Sequence, residues 1–334
     1  MRHMQMMDTY GRYVSYLRLS VTDRCNLRCF YCRKKEDLQF IPHNKILRYE
    51  EMLRLIHAVR DLGVSKVRLT GGEPFVRRDF LDFLGQACTL FPEMDFRLTT
   101  NGTYLSNTAE RLRRMGLQYV NISLDTLDRQ RYAEITGRDM FDRVWEGIHA
   151  ALAAGLRVKL NAVALRSFTA EELEGFIAFA LQHPVDVRFI EFMPIGAGTS
   201  WEEGQYWSAE ELVAAAQAVT PLEPVRAHDR NHGPARMYKL LQGQGRLGVI
   251  SPLSDHFCAQ CNRLRVTPDG RLRTCLFSDK EYRLRPHLRH PKLGPEHLRR
   301  LLAAANAHKP MGYELLQAKK DNAVCQRGMS AIGG

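Results

Sequence analysis

The stretch YLRLSVTDRCNLRCFYC, residues 16–32, decides the fold. Tyr16–Thr22 reads as a short apolar strand, and Cys25, Cys29 and Cys32 follow it at once in a C-x3-C-x2-C spacing. In parallel α/β folds the reactive groups collect beyond the carboxyl ends of the strands, so three thiols placed there read as a site. Three cysteines can hold a [4Fe–4S] cluster by three of its irons and leave the fourth open to a ligand. The same offsets also fit one stripe of a helix, or a structural zinc site completed by a distant histidine.

Working outward, apolar strands alternate with amphipathic helices, the pattern of βα units around a parallel sheet. After Tyr16–Thr22 the strands are Lys66–Thr70, Asp95–Thr100, Tyr119–Leu124, Arg157–Leu165 and Asp186–Met193. Tyr49–Leu62, Phe80–Leu90 and Phe141–Ala154 repeat apolar residues at helical spacing. Thr169 with Glu172, and Ser208 with Glu211, read as capping boxes. Six units fall short of a closed eight-unit barrel, so the α/β fold expected is an open, partial βα barrel. Polar or glycine-rich groups close five of its strands: the Cys25 triplet, Gly71-Gly72-Glu73-Pro74, Thr99-Thr100-Asn101-Gly102, Ser123-Leu124-Asp125 and Glu191-Phe192-Met193-Pro194.

After Pro224 the alternation lapses, and His228–Pro234 reads as a linker. The expected division is a barrel over residues 8–225 and a smaller C-terminal domain over 226–334. Within the latter, Arg263–Thr267 and Arg271–Phe277 flank Pro268-Asp269-Gly270, the turn chemistry of a β-hairpin. That hairpin carries Cys275 back toward Cys258 and Cys261, a second triplet with C-x2-C-x13-C spacing.

A chain of 334 residues that is 45% hydrophobic and 25% charged belongs with folded proteins. Residues 1–8 lack an apolar signal core, and no apolar run reaches the roughly 20 residues that span a bilayer. We therefore expect a cytoplasmic protein with no membrane partner. Eight cysteines in such a compartment point to metal ligation or catalysis before disulfides, with Cys88 and Cys325 left for packing. The net charge of +11 comes without a long Lys/Arg run or an RNA-binding aromatic signature, which disfavours nucleic acid and fits a small polyanion better. Arg18, Arg68 and Lys159 each interrupt an apolar strand, where a charge is costly unless an opposite charge meets it. Either a structural ion pair or a bound anion would answer that cost. Arg263 and Arg265, two apart on one strand, share a face and can grip phosphate oxygens as a guanidinium pair.

The first triplet, with an aromatic residue before its last cysteine and G-G-E-P after the second strand, resembles the radical S-adenosylmethionine superfamily. The second triplet, T-G-G-E-P-F-V-R-R-D, R-F-I-E-F-M-P and the Gly333-Gly334 end narrow the resemblance to the GTP 3′,8-cyclase family of molybdenum cofactor biosynthesis. The resemblance runs from about Tyr10 to the last residue. One departure is Arg33-Lys34 after Cys32, where the family usually has Met-Pro.

The resemblance implies two [4Fe–4S] clusters, held by Cys25, Cys29 and Cys32 and by Cys258, Cys261 and Cys275. It implies S-adenosyl-L-methionine at Tyr31, Gly72, Ser123 and Met193, and GTP at Arg18, Arg68, Thr99, Lys159, Arg263, Leu264 and Arg265. It implies that the 5′-deoxyadenosyl radical takes the ribose C3′ hydrogen before C3′ joins C8 of the guanine, and that the final glycines thread toward the active site. A low-potential electron donor and the downstream cyclic pyranopterin monophosphate synthase are implied partners, and a homodimer is compatible with it. Two other readings stay open: a peptide-modifying radical enzyme with an auxiliary cluster, and a zinc-stabilised nucleic-acid-binding protein with His256 completing the second triplet.

Overall fold

The computed structural model describes residues 5–32, 40–196, 201–225, 233–318 and 325–333. Six βα units come first: β1 (Tyr16–Ser20), α1 (Tyr49–Asp61), β2 (Lys66–Thr70), α2 (Phe80–Leu90), β3 (Asp95–Thr100), α3 (Ala109–Arg114), β4 (Tyr119–Ser123), α4 (Arg129–Thr136), α5 (Phe141–Ala153), β5 (Arg157–Ala164), α6 (Arg166–Gln182), β6 (Asp186–Glu191) and α7 (Ala209–Val219). Then follow β7 (Leu222–Val225), β8 (Arg236–Leu240), β9 (Arg246–Ile250), β10 (Arg263–Val266), β11 (Arg271–Arg273), β12 (Tyr282–Arg283), α8 (Arg285–Arg289), α9 (Pro295–Ala307), α10 (Gly312–Ala318) and α11 (Met329–Ile332).

All strands join one sheet in the order β12-β11-β10-β1-β2-β3-β4-β5-β6-β9-β8-β7. Among the described residues its two ends do not pair with each other, so the barrel is open. The C-terminal region contributes to both edges: β10 pairs in parallel with β1, and β9 with β6. The β10–β11 hairpin forms as its turn residues predict, with Gly270 at φ +75° where a side chain would be strained. Strands β7 to β9 were not legible in the sequence, and residues 228–232 of the expected linker lie outside the described residues.

The sheet is two-faced. Leu17, Leu19, Val67, Leu69, Phe96, Leu98, Val120 and Ile122 alternate toward the helices and are buried in the main core. On the facing helix α1, Met52, Leu55, Ile56 and Val59 fall at helical spacing and are fully buried, each burial stabilising the layer by about 1.5–3 kcal/mol. The opposite face of the same strands carries the polar residues, and these look into the barrel. Arg289 of α8 reaches back to the capping carboxylate of α1, with Nε 2.7 Å from Glu51 Oε1, so the C-terminal helices clasp the outside of the barrel.

One expected cap is corrected. Ser208 and Glu211 do form a capping box on α7. Helix α6, however, starts at Arg166 with Leu165 at its N-cap, ahead of Thr169, whose side chain lies outside the described residues. Glu172 is engaged elsewhere: its carboxylate accepts from the Thr126 hydroxyl and from the Leu127 amide at 2.5 Å.

Candidate functional site: a cavity between two cysteine triplets

The inner face of the sheet opens on a cavity of about 370 Å³ bordered by Cys25, Cys29 and Cys32 on one side and by Cys258, Cys261 and Cys275 on the other. None of the six is paired in a disulfide among the described residues. The expected Arg18, Tyr31, Arg68, Gly72, Thr99, Ser123, Lys159, Met193, Arg263 and Arg265 line the same space. Leu264 does not: strand alternation turns its side chain into the main core, fully buried, so any contact it makes with a ligand must come from its backbone. Arg33 and Lys34 lie outside the described residues.

The walls are strongly cationic. Arg265, Arg18, Arg68 and Arg97 stand in one register row across β10, β1, β2 and β3. Four guanidiniums in a row repel one another, and burial removes the water that would otherwise screen them. Burial pulls Arg18 down to about 10, helped by Arg68 and Arg263. Tyr16 sits among them; burial would push its phenol up, but Arg68, Arg18 and Arg263 overcome this and bring it to about 7. Arg68 donates to the Tyr16 hydroxyl and, at 3.4 Å, from Nη1 to Thr99 Oγ1.

Lys159 has an ion pair, Nζ to Asp186 Oδ2 at 3.2 Å, while still lining the cavity. Asp186 is shared with Arg246 of β9, at 2.8 Å from Nε. Burial and the neighbouring Arg188 therefore still hold Lys159 down to about 8. The ion-pair expectation for a charge in a strand thus holds at Lys159, which also borders the cavity.

Arg188 was missed by the sequence reading. It interrupts β6 just as Arg68 interrupts β2, it is buried, and its Nε and Nη2 have no hydrogen-bond partner among the described residues. Burial and Arg68 lower it to about 9. A fixed cation with unmet donors facing a cavity asks for an anion. Lys66 and Arg97 line the cavity too.

At the first triplet, the close approach of Gly72 serves the protein backbone. A Cβ there would lie 2.3 Å from the Arg24 carbonyl oxygen, and the Glu73 amide donates to that oxygen at 2.8 Å. The glycine pair thus lays the end of β2 against the cysteine loop. Burial raises Glu73 to about 7, opposed by the Asn101 and Phe75 amides and the Thr100 hydroxyl. Tyr31 donates to Asp125 Oδ2 at 2.5 Å, which ties the cysteine loop to the end of β4. Met193 also packs on a small second core of Ile195, Phe277, Cys325 and Ile332.

The donor sets fit iron–sulfur clusters. Burial, then Asp125, Cys32 and Cys25, hold the Cys29 thiol well above its usual range, so ligation to iron there would displace the thiol proton. At the second triplet Gly312 shapes the cradle: a Cβ there would stand 3.1 Å from Cys275 Sγ and 3.4 Å from Cys258 Sγ. His256 is engaged elsewhere, with Nδ1 2.8 Å from the Pro252 carbonyl and its ring stacked on Tyr313. The C-terminal segment enters the site as expected: Arg265 Nη1 donates to the Gly333 carbonyl, and a Cβ on Gly333 would fall 2.7 Å from Ser20 Cβ. Gly334 lies outside the described residues.

Comparison with known proteins agrees with this geometry. Residues 19–180 match the Radical SAM superfamily model, and residues 185–315 match Molybdenum Cofactor Synthesis C. The GTP 3′,8-cyclase of Pelotomaculum thermopropionicum is 44% identical, covering 98% of this chain and 100% of that protein. That of Moorella thermoacetica is 42% identical over the same shares. Among solved structures, Streptococcus suis SuiB bound to S-adenosylmethionine superposes with a TM-score of 0.63 at 16% identity, over 96% of this chain and 78% of that one, a likeness of fold. A radical S-adenosylmethionine domain with two cysteine triplets around one cationic cavity, and relatives this similar over nearly the whole chain, place the protein in the GTP 3′,8-cyclase family.

Proposed function

We propose that the chain converts GTP to (8S)-3′,8-cyclo-7,8-dihydroguanosine 5′-triphosphate, the first step of molybdenum cofactor biosynthesis. One observation carries the reading: both triplets border a single cavity whose walls between them hold Arg18, Arg68, Lys159, Arg263 and Arg265. When bound, the Cys25/Cys29/Cys32 cluster supplies the electron that cleaves S-adenosylmethionine to a 5′-deoxyadenosyl radical. Tyr31, Gly72, Ser123 and Met193 hold that cosubstrate. Arg18, Arg68, Lys159, Arg263 and Arg265 bind the triphosphate, with Thr99 and the Leu264 backbone beside them. This fixes the ribose C3′ and guanine C8 for joining, with Cys258, Cys261 and Cys275 carrying the cluster that receives the base. In this division residues 8–225 carry the radical chemistry and part of the substrate site, and residues 226–334 complete the substrate site with Arg263, Arg265 and the second triplet.

A low-potential donor must supply the electron, and a cyclic pyranopterin monophosphate synthase takes the product. We place the reaction in the cytoplasm; no helix among the described residues is long and apolar enough to cross a membrane. Anaerobic incubation of reduced enzyme with S-adenosylmethionine and each nucleoside triphosphate tests the reading. GTP alone should give 5′-deoxyadenosine with a cyclised product in step; turnover of a peptide, or of another nucleotide in preference, overturns it.

A further inference from the structure

Lys309 is a lysine that the proposed chemistry does not use, yet it is only 2% exposed. It follows α9, and its Nζ donates to two main-chain carbonyls, Arg263 at 2.5 Å and Thr274 at 2.8 Å. Those residues flank the second triplet: Arg263 lies two beyond Cys261, and Thr274 immediately precedes Cys275. One ammonium therefore bridges the two strands that present two of the three thiols. Arg12 makes a second tie, with Nη1 to the Cys258 carbonyl at 2.9 Å and Nη2 to the Lys309 carbonyl at 2.8 Å.

The two cations differ in their counter-charge. Arg12 is neutralised by Asp8, 2.6 Å away. Lys309 forms no ion pair with a carboxylate among the described residues; the opposite charges acting on it are Cys261 and Cys275, while Arg12 and Arg263 repel it. A buried ammonium costs several kcal/mol unless an anion meets it. Three thiolates on a cluster leave a net negative charge that grows on reduction, and net charge is among the factors that set a cluster's potential.

We propose that Lys309 is the charge-balancing and positioning residue of the second cluster, bridging the hairpin strands that carry Cys261 and Cys275 and raising that cluster's reduction potential through its unneutralised ammonium. This rests on the reading of Cys258, Cys261 and Cys275 as cluster ligands. The test is a potentiometric titration of both clusters' spectroscopic signals in the full-length, iron-loaded enzyme, comparing Lys309→Gln, which keeps a donor without charge, and Lys309→Arg, which keeps the charge. Lys309→Gln should move the second cluster to a more negative potential and leave the first unmoved, with Lys309→Arg close to the parent. A Gln variant that fails to hold the second cluster while the Arg variant holds it also supports the charge requirement. An iron-replete Gln variant at the parent potential, an Arg variant shifted as far as Gln, or loss of the cluster in both overturns the proposal. If Cys258→Ser retains the second signal, the ligand assignment itself has failed, and that outcome is read independently of Lys309.

Discussion

Arg265 donates from Nη1 to the carbonyl oxygen of Gly333 at 3.1 Å while standing in register with Arg18 on the neighbouring strand. One guanidinium thus belongs both to the cationic row and to the seat of the C-terminal segment.

Arg263→Ala and Arg265→Ala should each weaken GTP binding roughly 10- to 150-fold, the loss of about 1.5–3 kcal/mol expected for a charge-assisted hydrogen bond. Affinity for S-adenosylmethionine should stay within a factor of about two, since the cosubstrate meets other residues. Arg→Lys should give an intermediate defect, because the charge survives and the planar fork does not. Anaerobic equilibrium binding of GTP beside guanosine is the measurement. Equal losses for the two ligands would show that the arginines act on something other than the phosphates.

The triplets should fail in different ways. Cys25→Ser, Cys29→Ser or Cys32→Ser should abolish 5′-deoxyadenosine formation. Cys258→Ser, Cys261→Ser or Cys275→Ser should abolish GTP cyclisation while some abortive cleavage of S-adenosylmethionine persists. Chromatographic quantitation of 5′-deoxyadenosine and of the nucleotide product separates the two patterns.

GTP affinity should fall as pH rises through about 8. Lys159, held to about 8 chiefly by burial and by Arg188, binds an anion best when protonated. A bound triphosphate favours the charged form, so its pKa rises in the complex and binding takes up a proton. The affinity is therefore complete below the free protein's pKa and is lost progressively between that value and the higher one in the complex. Calorimetry in buffers of different ionisation enthalpy reads the proton uptake directly, and Lys159→Met should remove it; an unchanged uptake in that variant assigns the proton to another group.

Gly312→Ala should cost the second cluster selectively. The added methyl would meet Cys275 Sγ and Phe277 Cδ2 at 3.1 Å and Cys258 Sγ at 3.4 Å, within the space the thiols need. Iron should drop from about eight atoms per chain toward about four. Gly85→Ala on α2 is the control: its methyl would meet only the tip of Met115, at 3.4 Å, and the helix should gain up to about 1 kcal/mol with iron unchanged.

Most of the barrel was legible because period-2 alternation and helix spacing are local signals, and β2, β3 and α2 fall where those signals put them. The rule that a charge inside an apolar strand needs a reason found Arg18, Arg68 and Lys159. Applied to Asp186–Glu191 it would have found Arg188 as well. What the sequence could not show is long-range: that β9 and β10 complete the two edges of the sheet, or that Lys309 comes to rest between the hairpin strands. Thr169 and Glu172 carried a local capping signal that lost to a tertiary one, since Glu172 gains more from Thr126 and Leu127 across the fold.

The pairing of β10 with β1 has a consequence for biogenesis. Asn262 Nδ2 bonds Ser15 Oγ across 247 residues of chain. During synthesis the Cys25 triplet emerges early, but the wall opposite it forms only once the hairpin has left the ribosome. Until then β1 is a bare edge of a parallel sheet, open to pairing with other chains. Covering the β1 edge is thus a late event, and a nascent chain truncated before Arg263 would have an edge to aggregate through.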